Sequence, residues 1–132
     1  GWNPTRGHWT VENGALASDG ASGDASRIAS KEAFGNCEVV FQLKIEQGVH
    51  LEFQVLNYRW YFTVPRRQAA DWKECKAIIR GNNATFSVGG EAIRAEDADS
   101  PKHSQESGSI SFYTPRVTKV LIKEIRIRPL KP

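Results

Sequence analysis

The stretch that decides the fold runs from Trp72 to Glu91, WKECKAIIRGNNATFSVGGE. Cys75, Ala77 and Ile79 alternate with Lys76, Ile78 and Arg80, the period of a half-buried strand. Gly81-Asn82-Asn83 then turns the chain, because Gly and Asn tolerate positive φ. Ala84 to Val88 returns as a second strand, and Gly89-Gly90 closes it before Glu91. The unit is a β-hairpin entered from a tryptophan.

The same period recurs on both sides of this hairpin. Downstream, Ile110 and Phe112 oppose Ser109, Ser111 and Tyr113 before Pro115 breaks the strand. The last strand, Thr118 to Leu130, is read with Leu121, Ile125 and Ile127 inward and Glu124, Arg126 and Arg128 outward. Between the central hairpin and the Ile110 strand, Ala92 to Ser107 is a polar loop. Upstream, Cys37, Val39, Phe41, Leu43 and Ile45 share one face of a strong strand, with Glu38, Val40, Gln42 and Lys44 on the other. Val49, Leu51, Phe53 and Val55 form the next apolar stripe. Tyr58, Trp60, Phe62 and Val64 form another, alternating with Arg59, Tyr61 and Thr63. Residues 1 to 26 are turn-rich, with Asn13-Gly14 as a hairpin signal, and Arg27 to Ser30 is a short strand. No helical period persists beyond about one turn. Short strands with frequent turn signals predict an all-β, two-sheet antiparallel jelly-roll sandwich.

The 132 residues fit a single domain, 1–132, with room for one self-sufficient core. No apolar run approaches the ~20 residues of a transmembrane helix, so membrane insertion is not expected. The chain opens on Gly-Trp-Asn-Pro and contains no Met; the expectation is a piece of a longer protein, working beside its other domains. A net charge of +3, spread among acids, gives no reason to expect nucleic-acid binding. Cys37 and Cys75 both fall on apolar strand faces. Two buried thiols are the expectation, with an inter-strand disulfide as the alternative.

These elements, in this order, resemble a known family. The pattern W-x-x-x-x-x-I-I-x-G-x-x-x-T-F-x-V-x-G-E looks like the hairpin of LamG-like, concanavalin A-like lectin/glucanase jelly rolls. It is similar in particular to the 3-keto-disaccharide hydrolase domain family. WTVENGAL (Trp9 to Leu16), SKEAFGNCEVVFQLK (Ser30 to Lys44) and the ending IKEIRIRPL (Ile122 to Leu130) resemble the same family's opening, middle and closing elements. The resemblance spans Trp9 to Leu130. It implies a glycan-handling surface on the concave sheet face, and a bacterial, extracytoplasmic setting within a larger protein. Such folds sometimes carry calcium, for which Asp19 and Asp24 in the loop SDGASGDAS are the candidate oxygen donors.

Alternation selects the residues of that surface. If Leu51, Phe53, Trp60 and Phe62 face the core, then His50, Glu52, Gln54, Arg59, Tyr61 and Thr63 stand together on the open side. Sugars suit such a set, because a ring lays its C–H face on an aromatic while hydroxyls meet planar donors and acceptors. An ordinary solvated sheet face with a Glu–Arg pair is the competing reading. Trp72 is either a platform at the rim of this face or a plug at the sandwich end. Tyr113 and Arg116 flank a loop near the sheet edge and are further candidates.

Catalysis is less well supported. His8, His50 and His103 show no zinc spacing, and there is no G-x-S-x-G elbow or P-loop. Paired-carboxylate glycoside cleavage needs two acids across a cleft, and Glu52 is the one acid placed mid-sheet. The family's N-S-G segment and its long acidic loop before the tryptophan are missing. The favoured reading is a non-catalytic carbohydrate-binding module for polysaccharide or oligosaccharide. A minimal 3-keto-glycoside hydrolase with Glu52 as acid/base is the alternative, and a protein-binding structural sandwich the third.

Overall fold

The computed structural model describes residues 1–18, 25–47, 50–55, 58–63, 71–81, 83–93, 108–115 and 118–131; of residues 47, 50 and 61–63 only the backbone is described. Asp19, Asp24, Val49, Val64, His103 and Arg116 therefore lie outside the described residues.

The described residues form two antiparallel sheets and no helix, the architecture that the period-2 pattern predicts. The five-stranded sheet has the order β1 (Trp2–Arg6), β4 (Ser26–Ser30), β11 (Ile110–Thr114), β6 (His50–Val55), β7 (Tyr58–Thr63). The seven-stranded sheet runs β10 (Glu91–Ile93), β9 (Asn83–Val88), β8 (Lys73–Arg80), β5 (Cys37–Gln47), β12 (Lys119–Pro129), β3 (Ala15–Ser18), β2 (Trp9–Glu12).

The hairpin read first from the sequence is β8–β9, paired from Cys75↔Val88 to Arg80↔Asn83. Its turn depends on Gly81 at φ 59, a left-handed value that a side chain resists. The Gly81 N–H donates to Asn36 Oδ1 at 2.9 Å, and its carbonyl accepts from the Tyr58 hydroxyl at 3.2 Å, so the turn is tied to the rest of the sandwich. Asn13 and Gly14, at φ 51 and 81, make the β2–β3 turn that the Asn-Gly pair predicts.

Two strands escape the sequence reading. Trp2–Arg6 carries Pro4, which lacks an N–H and is admissible because β1 is an edge strand. Glu91–Ile93 is a three-residue strand that continues from the Gly89-Gly90 turn and pairs back on β9.

The core is aromatic and bridges the sheets. Phe53 and Trp60 on β6 and β7 stack at 5.8 Å, and Phe53 lies 5.1 Å from Phe112 on β11. From the opposite sheet, Phe41 meets Phe53 at 5.1 Å and Phe112 edge-on at 5.0 Å, while Phe86 lies 5.1 Å from Phe53. Offset and edge-to-face contacts of this kind add to the burial of each ring. Leu51, Phe53, Val55, Tyr58 and Trp60 are buried, as the alternation requires.

One inward assignment is corrected. Glu124 has φ 54, and the β12 register slips between Lys123 and Arg126, so a bulge changes which parity faces the core. Val120 and Ile122 point into the main core before it, and Ile125 and Ile127 pack against that core after it. Leu121 is buried instead on the outer side of the sheet, in a small cluster with Ala15 and Ala17.

Cys37 and Cys75 are both buried and free. They sit on adjacent strands but out of register: Cys37 pairs with Ile79, and Cys75 with Phe41. Four residues of offset along a strand is about 13 Å, beyond the reach of a disulfide. Burial pushes both thiols up, with the Glu74 charge adding at Cys75. Neither thiol should react with Ellman's reagent in the folded protein, and both should react in denaturant.

On the outer side of the seven-stranded sheet, Glu38 lies 3.4 Å from Arg128 and 3.5 Å from Lys76. Desolvation pushes its carboxyl up, but the hydrogen bond and charge of Arg128, followed by Lys76, outweigh it and hold the group below the ordinary carboxylate range. A lowered folded-state value means that the unfolded chain binds the proton more readily. The stabilisation is therefore complete above the unfolded-chain value and is lost as pH falls through the folded one. In urea titrations from about pH 5 to about pH 2, Glu38→Gln should flatten the acid limb of the stability curve. Phe53→Ala, by emptying the centre of the aromatic cluster, should cost about 3–5 kcal/mol in the same assay at neutral pH.

Candidate functional site

The outer face of the five-stranded sheet is built by the same alternation that fills the core. On β6 the inward Leu51, Phe53 and Val55 leave Glu52 and Gln54 outward. Cross-strand register carries this along two rows. One row runs Asn3, Ala29, Ser111, Gln54, Arg59. The next runs Arg27, Tyr113, Glu52, Tyr61.

Glu52 is the centre of the second row. Its carboxylate lies 3.3 Å from Arg59 Nε on one side and 3.6 Å from Arg27 Nη2 on the other. The Glu52 side chain is only 12% exposed, whereas Arg27 and Arg59 are 36% and 49% exposed. The acid is thus sunk between two guanidiniums that reach solvent. Arg27 also stacks over the Tyr113 ring, 5.0 Å from its centroid, and its Nη1 donates to Ser111 Oγ at 3.5 Å. Ala29 and Ser111, both small, stand between Asn3 and Gln54 in the first row.

The structure brings Glu52, Gln54 and Arg59 together on one face, as expected from the sequence. It places His50 and Tyr61 in register on the same two strands, His50 opposite Thr63 and Tyr61 opposite Glu52; their side chains lie outside the description. Tyr113 is corrected: β11 is the central strand of the five, so Tyr113 stands beside Glu52 and not at a sheet edge.

Trp72 is corrected as well. It belongs to neither the rim of this face nor the end of the sandwich. It covers the outer side of the opposite sheet, where Lys123 Nζ is 4.0 Å and Lys44 Nζ 5.9 Å from its ring centroid. Arg27 was not singled out from the sequence. Its signal lay in SRIAS, where Ser26, Ile28 and Ser30 turn inward and leave Arg27 outward.

Among the described residues, no group of three or more His, Cys, Asp and Glu could hold a metal ion. None of the described helices, of which there are none, could cross a membrane, and this says nothing of membrane-crossing strands.

No family model matches the chain, and no curated protein matches it. Solved structures do. A Parabacteroides distasonis protein provisionally assigned as a glycosyl hydrolase superposes with TM-score 0.71 at 12% identity, covering 98% of this chain and 100% of that one. The carbohydrate-binding module CBM66 from Bacillus subtilis gives TM-score 0.70 at 10% identity, over 97% of this chain and 95% of its own. The Crh5 transglycosylase gives TM-score 0.73 at 12% identity, over 99% and 79%. At such identities the likeness shows the fold, a concanavalin A-like jelly-roll sandwich, and that alone.

Proposed function

We propose that this chain is a carbohydrate-binding domain that takes a glycan on the outer face of its five-stranded sheet, without cleaving it. The observation that carries the reading is the Arg27–Glu52–Arg59 arrangement beside Tyr113, Gln54 and the small Ala29 and Ser111. A sugar presents neighbouring hydroxyls that each donate and accept. A carboxylate flanked by guanidiniums offers acceptors and donors side by side in fixed geometry, and charged partners make the stronger hydrogen bonds. Because Arg27 already covers one side of Tyr113, recognition here rests on planar polar groups more than on ring stacking.

Binding is favoured over paired-carboxylate cleavage by the composition of the face. Glu52 is the one acid on it among the described residues, and both inverting and retaining hydrolysis call for a second. The neighbouring folds, a carbohydrate-binding module and carbohydrate-active enzymes among them, are in keeping with a glycan ligand. The reading also proposes an extracytoplasmic workplace, where polysaccharides are met, within a larger protein.

Retention in native gels containing polysaccharides, followed by calorimetry on a positive glycan, tests the reading. Arg59→Ala and Glu52→Gln should each weaken binding at least about tenfold, a change of about 1.4 kcal/mol. The folded protein retained by no polysaccharide would overturn it. Release of a 3-keto sugar from a keto-glycoside, abolished in Glu52→Gln, would replace it with the hydrolase reading.

A further inference from the structure

The opposite sheet carries a recess with a different chemistry. Its volume is about 280 Å³, and Trp72, Lys44, Lys123, Leu121 and Ala15 line it together with Glu12, Asn13 and Glu46. Trp72 is 36% exposed, and only Val11 is a more exposed large apolar side chain among the described residues. Leu121 and Ala15 give the recess an apolar floor, the product of the parity change at the Glu124 bulge.

Its charge is uneven. Glu12 is neutralised by Lys119 at 3.0 Å. Lys44 and Lys123 are turned instead toward the Trp72 ring, and no carboxylate lies within ion-pair distance of either among the described residues. The lining is balanced in number, Lys44 and Lys123 against Glu12 and Glu46, but Glu12 is engaged by Lys119 from beside the recess. The protein's own ammonium groups already fill the cation position over the indole, which excludes a cationic ligand there. The complement of this arrangement is an anionic group for the two ammonium groups, on a body with an apolar face to lie against Trp72 and Leu121.

We propose that this recess is a second saccharide site, selective for a sugar unit bearing a carboxylate. A uronic acid residue supplies both parts: a carboxylate for Lys44 and Lys123, and a C–H face for the indole edge and the Leu121 floor. The volume falls just below the ~300–1,000 Å³ of sites for drug-sized ligands and fits a short stretch of sugar, not an extended chain. The inference does not rest on the reading of the first face, because the two sites lie on opposite sheets and share no residue.

The test follows the four tryptophan indole N–H signals of the whole chain by NMR, with Trp72 assigned from Trp72→Phe. The probes are trigalacturonic acid and its neutral, fully methyl-esterified form. The acid should shift the Trp72 signal and the ester should not. Lys44→Gln combined with Lys123→Gln should weaken the effect at least about tenfold, and added NaCl should weaken it further. Both lysines are on the surface, and the spectrum itself reports that the variant is folded. Arg59→Ala, on the other sheet, should leave the titration unchanged. The inference fails if the Trp72 signal does not move, if acid and ester act alike, or if Arg59→Ala and not the lysine pair abolishes the shift. It fails equally if a short oligothymidylate shifts Trp72 as strongly, which would make the recess a general polyanion site.

Discussion

The constraint on which the structure depends is the two-residue period of strand β6. Seating Phe53 against Phe41, Phe86, Phe112 and Trp60 fixes the register of β6 against β7 and β11. Glu52, one residue away, must then point outward. The same register sets Arg59 beside it from β7 and brings Arg27 in across β11. A slip of one residue would bury Glu52 and its partners and expose the aromatic cluster. Core packing and the polar surface are therefore one decision, and the cost of exposing the aromatics is what holds the charged groups in place.

The strands with unbroken alternation were legible in the sequence. Cys37 to Ile45, Leu51 to Val55 and Cys75 to Ile79 bury the residues their pattern selects. Glu52, Gln54 and Arg59 could be placed for the same reason, since they alternate with apolar residues on two strands close together in the sequence. Arg27 and Tyr113 reach Glu52 only because β4, β11 and β6 are neighbours in the sheet, and that order is set by tertiary packing between segments remote in the chain. Alternation assigns a face; it does not say which strand lies next to which.

The bulge at Glu124 was hidden for a related reason. The sequence VLIKEIRI offers apolar residues at both parities, so either face of β12 can be read as inward. Only the pairing with β5, which skips between Lys123 and Arg126, reveals that the inward set changes from Val120 and Ile122 to Ile125 and Ile127. Trp72 was misplaced because it precedes β8 on a polar connection, where no period constrains it. What fixes it is a pair of lysines from β5 and β12 that converge on its ring.

The two outer faces differ in how their charges are used. On the five-stranded sheet, Glu52 is shared between Arg27 and Arg59, so these charged groups are paired with one another and the face offers donors and acceptors side by side. On the seven-stranded sheet, Lys44 and Lys123 are held by an aromatic ring, which attracts a cation without cancelling its charge. An anion approaching the second face gains a Coulombic attraction that salt can screen, whereas a neutral polyol on the first exchanges hydrogen bonds whose strength depends little on ionic strength. Both faces rest on one core, so a ligand on either stabilises the same folded state. Because the sheets stand about 10 Å apart with that core between them, no single sugar ring can touch both, and a chain holding two glycans at once would join them across its own thickness.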